Sequence, residues 1–209
     1  MEQIQQTQNR TEKQNVFSTK NLAKIAVLTA ISYVLYMFVK FPLPFFPQFL
    51  DIQFSDLPAL IGGFAMGPVA GCIIIVAKCL LKMPFSSTAC VGEIGDIIIG
   101  IAFVLPAALI YKKHKNKKGA LIGLVVGALV GIAAAMVANW VLLIPFYVKA
   151  FGWEAIIGMV AELYPGITQQ TFFSYYLFLG VAPFNLLRFI VSGGLTFLVY
   201  KHVSPILHM

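Results

Sequence analysis

The sequence predicts an all-α integral membrane protein with six transmembrane helices, the second and third of them short, and both termini in the cytoplasm. Three observations carry that prediction. Hydrophobic residues make up 59% of the chain and charged ones 11%, mean hydropathy is +0.86, and several apolar runs approach the ~20 residues that cross a bilayer. Those runs are continuous and do not alternate, which excludes a β-barrel. Finally, a break at Gly67-Pro68 and a lysine cluster at residues 112–118, KKHKNKK, fix the number of crossings and their direction.

Residues 1–20 are polar, without an apolar core, and read as a disordered cytoplasmic tail that is not a cleaved signal peptide. The first span runs from about Asn21 to Val39, and Arg10, Lys13, Lys20 and Lys24 before it place the N-terminus inside. Within this span, Ala26 and Ala30 of AVLTA form a small-xxx-small pattern, which serves internal packing or the docking of a partner helix. Pro42, Pro44 and Pro47 then rule out a helix, because each lacks an N–H and biases its predecessor away from the α region. Ser55-Asp56-Leu57-Pro58 is a helix-start signal in which Asp56 reads as a cap.

From Asp56 to Lys82 the apolar run is either one span or two. Five lysines in KKHKNKK belong in the cytoplasm, so the span before them, about Val91 to Tyr111, runs from outside to inside. One helix over 56–82 would put those lysines outside; splitting it at Gly67-Pro68 restores the parity. Pieces of about 12 and 14 residues cannot each cross ~30 Å, so neighbouring helices must shield them. Next comes a span from Gly119 to about Val148, with Gly123, Gly127 and Gly131 on a face suited to tight packing. Glu154, Glu162, Pro165, Gly166, Gln169 and Gln170 interrupt residues 149–182, which read as an outer loop with short amphipathic helices acting as a lid. A final span from Pro183 to about Lys201 returns to the cytoplasm, giving a single membrane domain over 21–202 and a C-terminal tail over 203–209. On this map the inner side holds ten of the fifteen basic residues and two of the eight acids, Glu2 and Glu12. The net charge of +7 therefore reflects orientation and does not point to nucleic acid.

Polar residues inside spans are costly and mark function by default. Glu93 and Asp96 lie at the outer end of the fourth helix, Asn139 in the outer half of the fifth, and Asn185 and Arg188 one turn apart at the outer end of the sixth. Leu43, Pro44, Phe45 and Phe46, in the proline-aromatic loop, fall on the same side. Together they describe an outward-facing pocket with apolar walls and a few hydrogen-bonding groups, suited to a flat, polar-edged small molecule. Each residue also has a plainer role: Arg188 can snorkel, Asn139 can join helices, Glu93 and Asp96 can cap, and Lys78 can pair with a carboxylate. Nothing points to an enzyme. There is no phosphate-binding G-x-x-x-x-G-K-[ST], no HExxH and no GxSxG. Cys72, Cys79 and Cys90 form no metal-binding pattern.

The six-helix plan, AVLTA, the loop FPLPFFPQFLDIQFSDLPALIGG, GPVAG at the break, VGEIG before the fourth helix, Asn139 and PFNLLR resemble, in order and spacing over Asn21–Lys201, the substrate-binding S components of energy-coupling factor (ECF) vitamin transporters, riboflavin type. The resemblance implies a multi-pass cell-membrane protein that captures riboflavin from outside with high affinity. It also implies association with a membrane T component and two ATP-binding-cassette ATPase subunits. It assigns docking of the T component to Ala26 and Ala30, flavin contact to Asn139, Asn185 and Arg188, and cover of the ligand to the first loop. A lysine is expected where Arg188 stands; Arg keeps the charge as a planar fork. The alternatives are an S component for another vitamin or heterocycle and a stand-alone secondary carrier, though the internal repeat and mid-membrane carboxylates of a carrier are missing.

Overall fold

In a computed structural model that describes residues 16–47, 50–161 and 163–207, the first helix, α1, spans Thr19–Phe38. It starts before Asn21 because Ser18 caps it, accepting the Asn21 N–H at 3.3 Å. The expected tail over residues 1–15 lies outside the described residues.

The proline-aromatic loop folds as a short antiparallel hairpin. Strand β1 (Lys40–Pro42) pairs with β2 (Asp51–Gln53) in the register Lys40↔Gln53, Phe41↔Ile52, Pro42↔Asp51. Pro42 is tolerated because a two-stranded ribbon consists only of edges.

Helices α2 (Asp56–Met66) and α3 (Pro68–Lys82) meet at Gly67, whose φ of +104° suits glycine. The chain reverses there. A Cβ at Gly71 would lie 2.9 Å from the Ala59 carbonyl oxygen and 3.1 Å from the Gly63 Cα. Residues 59 and 71 would be ~18 Å apart along one continuous helix at 1.5 Å per residue. The predicted break is thus a helical hairpin, and a 3₁₀ turn over Met83–Phe85 ends its second arm.

Helix α4 (Val91–Lys113) packs against α5 (Lys117–Ala138) along the predicted glycine face. A π-helical turn over Asn139–Leu143 joins α5 to α6 (Ile144–Phe151), so the apolar stretch continues to Phe151. Helix α7 (Trp153–Ala161) follows, a short element with Ile156 and Val160 buried. The last span begins at Phe172, earlier than the expected Pro183. It comprises α8 (Phe172–Tyr175), a π turn over Tyr176–Val181, and α9 (Ala182–Leu207). Phe172 and Tyr176 are buried and stacked on each other, so residues read as outer loop belong to the span. The same helix runs past the expected boundary at residue 202.

Among the described residues, five segments are long and apolar enough to cross a membrane: Thr19–Phe38, Pro68–Phe85, Val91–Lys113, Lys117–Phe151 and Phe172–Val199. Asp56–Met66 is apolar but shorter. Their outer surfaces carry exposed Val27, Leu121, Val125, Leu129, Phe178 and Leu198, while Asp56, Lys78 and Arg188 are buried. Such an arrangement suits lipid, which solvates apolar side chains and leaves charges to be paired inside.

Candidate ligand-binding site

The two π turns have a common origin in proline. Pro145 and Pro183 each follow a π turn closely and lack the N–H that a regular helix would offer one turn back. At the second, the Leu179 carbonyl, four residues before Pro183, is satisfied by the Tyr164 hydroxyl, which donates to it at 3.0 Å. Widening these turns brings two polar side chains together: Tyr176 Oη donates to Asn139 Oδ1 at 2.8 Å. Asn139 Nδ2 in turn donates to the Ala135 carbonyl at 2.8 Å.

Asn139 and Tyr176 form part of the wall of a cavity of about 180 Å³. Five of the sequence-predicted residues line it: Glu93 and Asp96 from α4, Asn139 from the first π turn, and Asn185 and Arg188 from α9. Tyr147 and Phe184 add aromatic surface, and Lys40, Leu50, Asp51 and Gln53 make the hairpin one wall. Leu43, Pro44 and Phe45 sit in the hairpin turn, off the lining, with Phe45 79% exposed. Phe46 contacts the site indirectly, edge-on to Phe184 with ring centroids 5.5 Å apart.

The two amides differ. Asn185 Nδ2 donates to the Val181 carbonyl at 2.8 Å, but its Oδ1 is buried without a hydrogen-bond partner. An orphaned acceptor in a cavity wall costs free energy until a donor fills the site.

Beneath this wall lies a four-charge cluster. Arg188 Nε and Nη2 donate to Asp56 Oδ2 at 3.0 and 2.7 Å, and Nη2 also reaches Asp96 Oδ1 at 2.6 Å. Lys78 Nζ contacts Asp56 Oδ1 at 2.7 Å and Asp96 Oδ2 at 3.2 Å. Two cations thus balance two carboxylates, all buried, which is the condition for charge to persist inside a membrane domain. Arg188 does not snorkel; it is 4% exposed and bridges α9 to α2 and α4. Nor is Asp56 a cap: the α2 terminus has no side-chain cap bond, and the Asp56 carboxylate is held by Arg188, 132 positions away, and by Lys78. Nearer the rim, Glu93 accepts from Lys82 at 2.8 Å, Ser86 at 2.6 Å and Thr88 at 3.2 Å. Ala26 and Ala30 are remote from the cavity, exposed on α1.

Tyr147, Tyr176, Phe184 and Gln53 were not anticipated as lining residues. The signal for Tyr176 lies in sequence, since a proline within an apolar run marks a widened turn just before it.

Comparison with known proteins agrees with this architecture. The family profile "ECF transporter, substrate-specific component" matches residues 20–200. The riboflavin transporter RibU of Staphylococcus aureus is 32% identical over 199 residues, covering 95% of this chain and 98% of that protein. The riboflavin transporter FmnP of Bacillus subtilis is 29% identical, covering 89% and 93%. A solved structure, the S component of a bacterial ECF transporter, superposes with a TM-score of 0.69 at 33% identity, covering 89% of this chain and 96% of that one. This chain therefore belongs to the substrate-specific S components of ECF transporters.

Proposed function

We propose that this chain is the riboflavin-binding subunit of an ECF-type importer in the cell membrane. The observation that carries the reading is the cavity bearing the unpartnered Asn185 Oδ1 between aromatic walls, in a chain whose relatives include riboflavin transporters. Riboflavin is a flat ring whose pyrimidine edge sets one N–H between two carbonyls, and it carries a hydroxylated chain. Asn185 Oδ1 accepts such an N–H or hydroxyl, while Tyr147, Tyr176 and Phe184 give the ring apolar contact. Asn139 and Glu93 present polar groups at the same wall, and Arg188 holds it in place through Asp56 and Asp96. The hairpin covers the ligand through Lys40, Leu50, Asp51 and Gln53, with Phe46 of its turn backing Phe184.

In this reading the α2–α3 hairpin counts as two of six membrane segments, both termini and the lysine turn face the cytoplasm, and the cavity opens outward. Ala26 and Ala30 face the membrane T component, which works with two ATPase subunits. Capture itself needs no ATP.

The test is a riboflavin titration of the purified full chain, followed by flavin fluorescence, in wild type and Asn185→Leu. Wild type should bind in the nanomolar range. The variant should lose about 10- to 100-fold in affinity, the worth of ~1.5–3 kcal/mol for a buried hydrogen bond. A wild-type protein that ignores micromolar riboflavin sinks the flavin reading and leaves an S component for another vitamin.

A further inference from the structure

We propose that Gln53 is a positioning residue that latches the β1–β2 hairpin onto the four-charge cluster and thereby sets how long a ligand stays in the cavity. The proposal rests on the riboflavin reading above only for its kinetic test.

The hairpin is a weak element by itself. It has three residues per strand, and isolated two-stranded ribbons are marginal in stability. Its one cross-strand ion pair, Lys40–Asp51 at 3.2 Å, has side chains 49% and 31% exposed, a setting in which such pairs contribute little. Yet Lys40, Leu50, Asp51 and Gln53 form a wall of the cavity, so the hairpin must be held against the helices for the cavity to exist.

Gln53 supplies the hold. It is buried at the end of β2, and both ends of its carboxamide are engaged. Nε2 donates to Asp96 Oδ1 at 3.1 Å, and Oε1 accepts from Ser55 Oγ at 3.1 Å. Ser55 Oγ is itself fixed by Lys78 Nζ at 2.6 Å, and Asp96 Oδ1 is the same atom that receives Arg188 Nη2. The hairpin is thus bonded to charges anchored on α2, α3, α4 and α9. A hydrogen bond to a buried carboxylate is stronger than one between neutral groups. Two ring contacts of this region, Phe41 on Phe54 and Phe46 on Phe184, can slide without a directional penalty, and the Ser32 hydroxyl, which donates to the Ser55 carbonyl, holds the chain beyond β2 and not the strand itself. Opening the wall therefore requires breaking the Gln53–Asp96 bond. Asp96 reaches Arg188, one turn from Asn185, so the residue offering a free acceptor and the residue closing the wall hang on one carboxylate.

The experiment compares riboflavin association and dissociation by stopped-flow fluorescence in the full chain, wild type against Gln53→Met, which keeps length and removes the amide. Both rates should rise, dissociation by about tenfold or more. Gln53→Glu sets a second carboxylate against Asp96 and should raise them further. Unchanged dissociation in Gln53→Met overturns the latch. Hydrogen exchange on ligand-free protein gives an arm independent of the ligand. Amides of residues 50–53 should exchange faster in Gln53→Met while those of α4 and α5 do not, and equal protection in both proteins also overturns it. Failure of wild type to bind riboflavin would strike the flavin reading and leave this exchange result to decide the latch.

Discussion

Two stripes of small residues run along this molecule, and they serve opposite ends. On α5, Gly123, Gly127 and Gly131 face inward. A Cβ at Gly123 would lie 2.6 Å from the Ala107 carbonyl oxygen, one at Gly127 would strike the Phe103 carbonyl oxygen, and one at Gly131 would lie 2.7 Å from the Phe189 ring. On α1, Ala26 and Ala30 have the same four-residue spacing and face outward, flanked by exposed Leu22, Val27, Ile31 and Val34. Small-xxx-small in an apolar helix says that another helix comes close. It does not say whether that helix belongs to the same chain. The glycine stripe is consumed by α4 and α9; the alanine stripe is left without an internal partner among the described residues.

The largest effect expected from breaking this comparison is at Gly127. Gly127→Ala places a methyl group against backbone that cannot rotate away, so α4 and α5 must separate. We expect a loss of about 1–3 kcal/mol from overpacking, read as a lower unfolding midpoint of the ligand-free protein in detergent. Stability equal to wild type would mean the two helices are not held at the distance described. Gly193→Ala sharpens the point with a smaller effect of opposite sign. Its new Cβ meets Leu124 at 3.4 Å, ordinary contact distance. The gain in helix propensity, roughly 0.5–1 kcal/mol, should therefore leave the variant as stable as wild type or slightly more so.

The same contrast between local and distant partners explains what could be read from sequence. Gly67-Pro68 was legible as a break because the backbone chemistry is local: a residue at φ +104° followed by proline ends one helix and starts another. Glu93, Asn139, Asn185 and Arg188 were legible as a group because each is a polar residue within an apolar run, and such residues converge. Asp56 was misread because Ser55-Asp56-Leu57-Pro58 is a strong local start signal, whereas its partners lie 22 and 132 positions away. Charge balance held the missing clue: two carboxylates and two cations within apolar segments have to neutralise each other. The hairpin escaped because its prolines exclude a helix without specifying strand pairing. Phe172–Ala182 was taken for loop because Gln169 and Gln170 precede it and Pro183 follows. A π turn and the Tyr164 hydroxyl absorb that proline.

The smallest change in stability, with the largest in transport, is expected at the alanine stripe. Ala26→Leu combined with Ala30→Leu adds apolar bulk to a face already apolar and exposed, where substitutions away from packed features stay within about 0.5 kcal/mol. No neighbouring helix of this chain has to move, and the cavity residues on α4, α9 and the hairpin are untouched. Unfolding midpoint and riboflavin affinity should therefore match wild type. On the proposed docking face, uptake in cells carrying the complete importer should be abolished, since leucines at 26 and 30 would keep a partner helix beyond the distance alanine allows. The pairing of these results is what discriminates. Lost binding would show that the stripe supports the fold like its glycine counterpart, and retained uptake would show that the T component approaches another face.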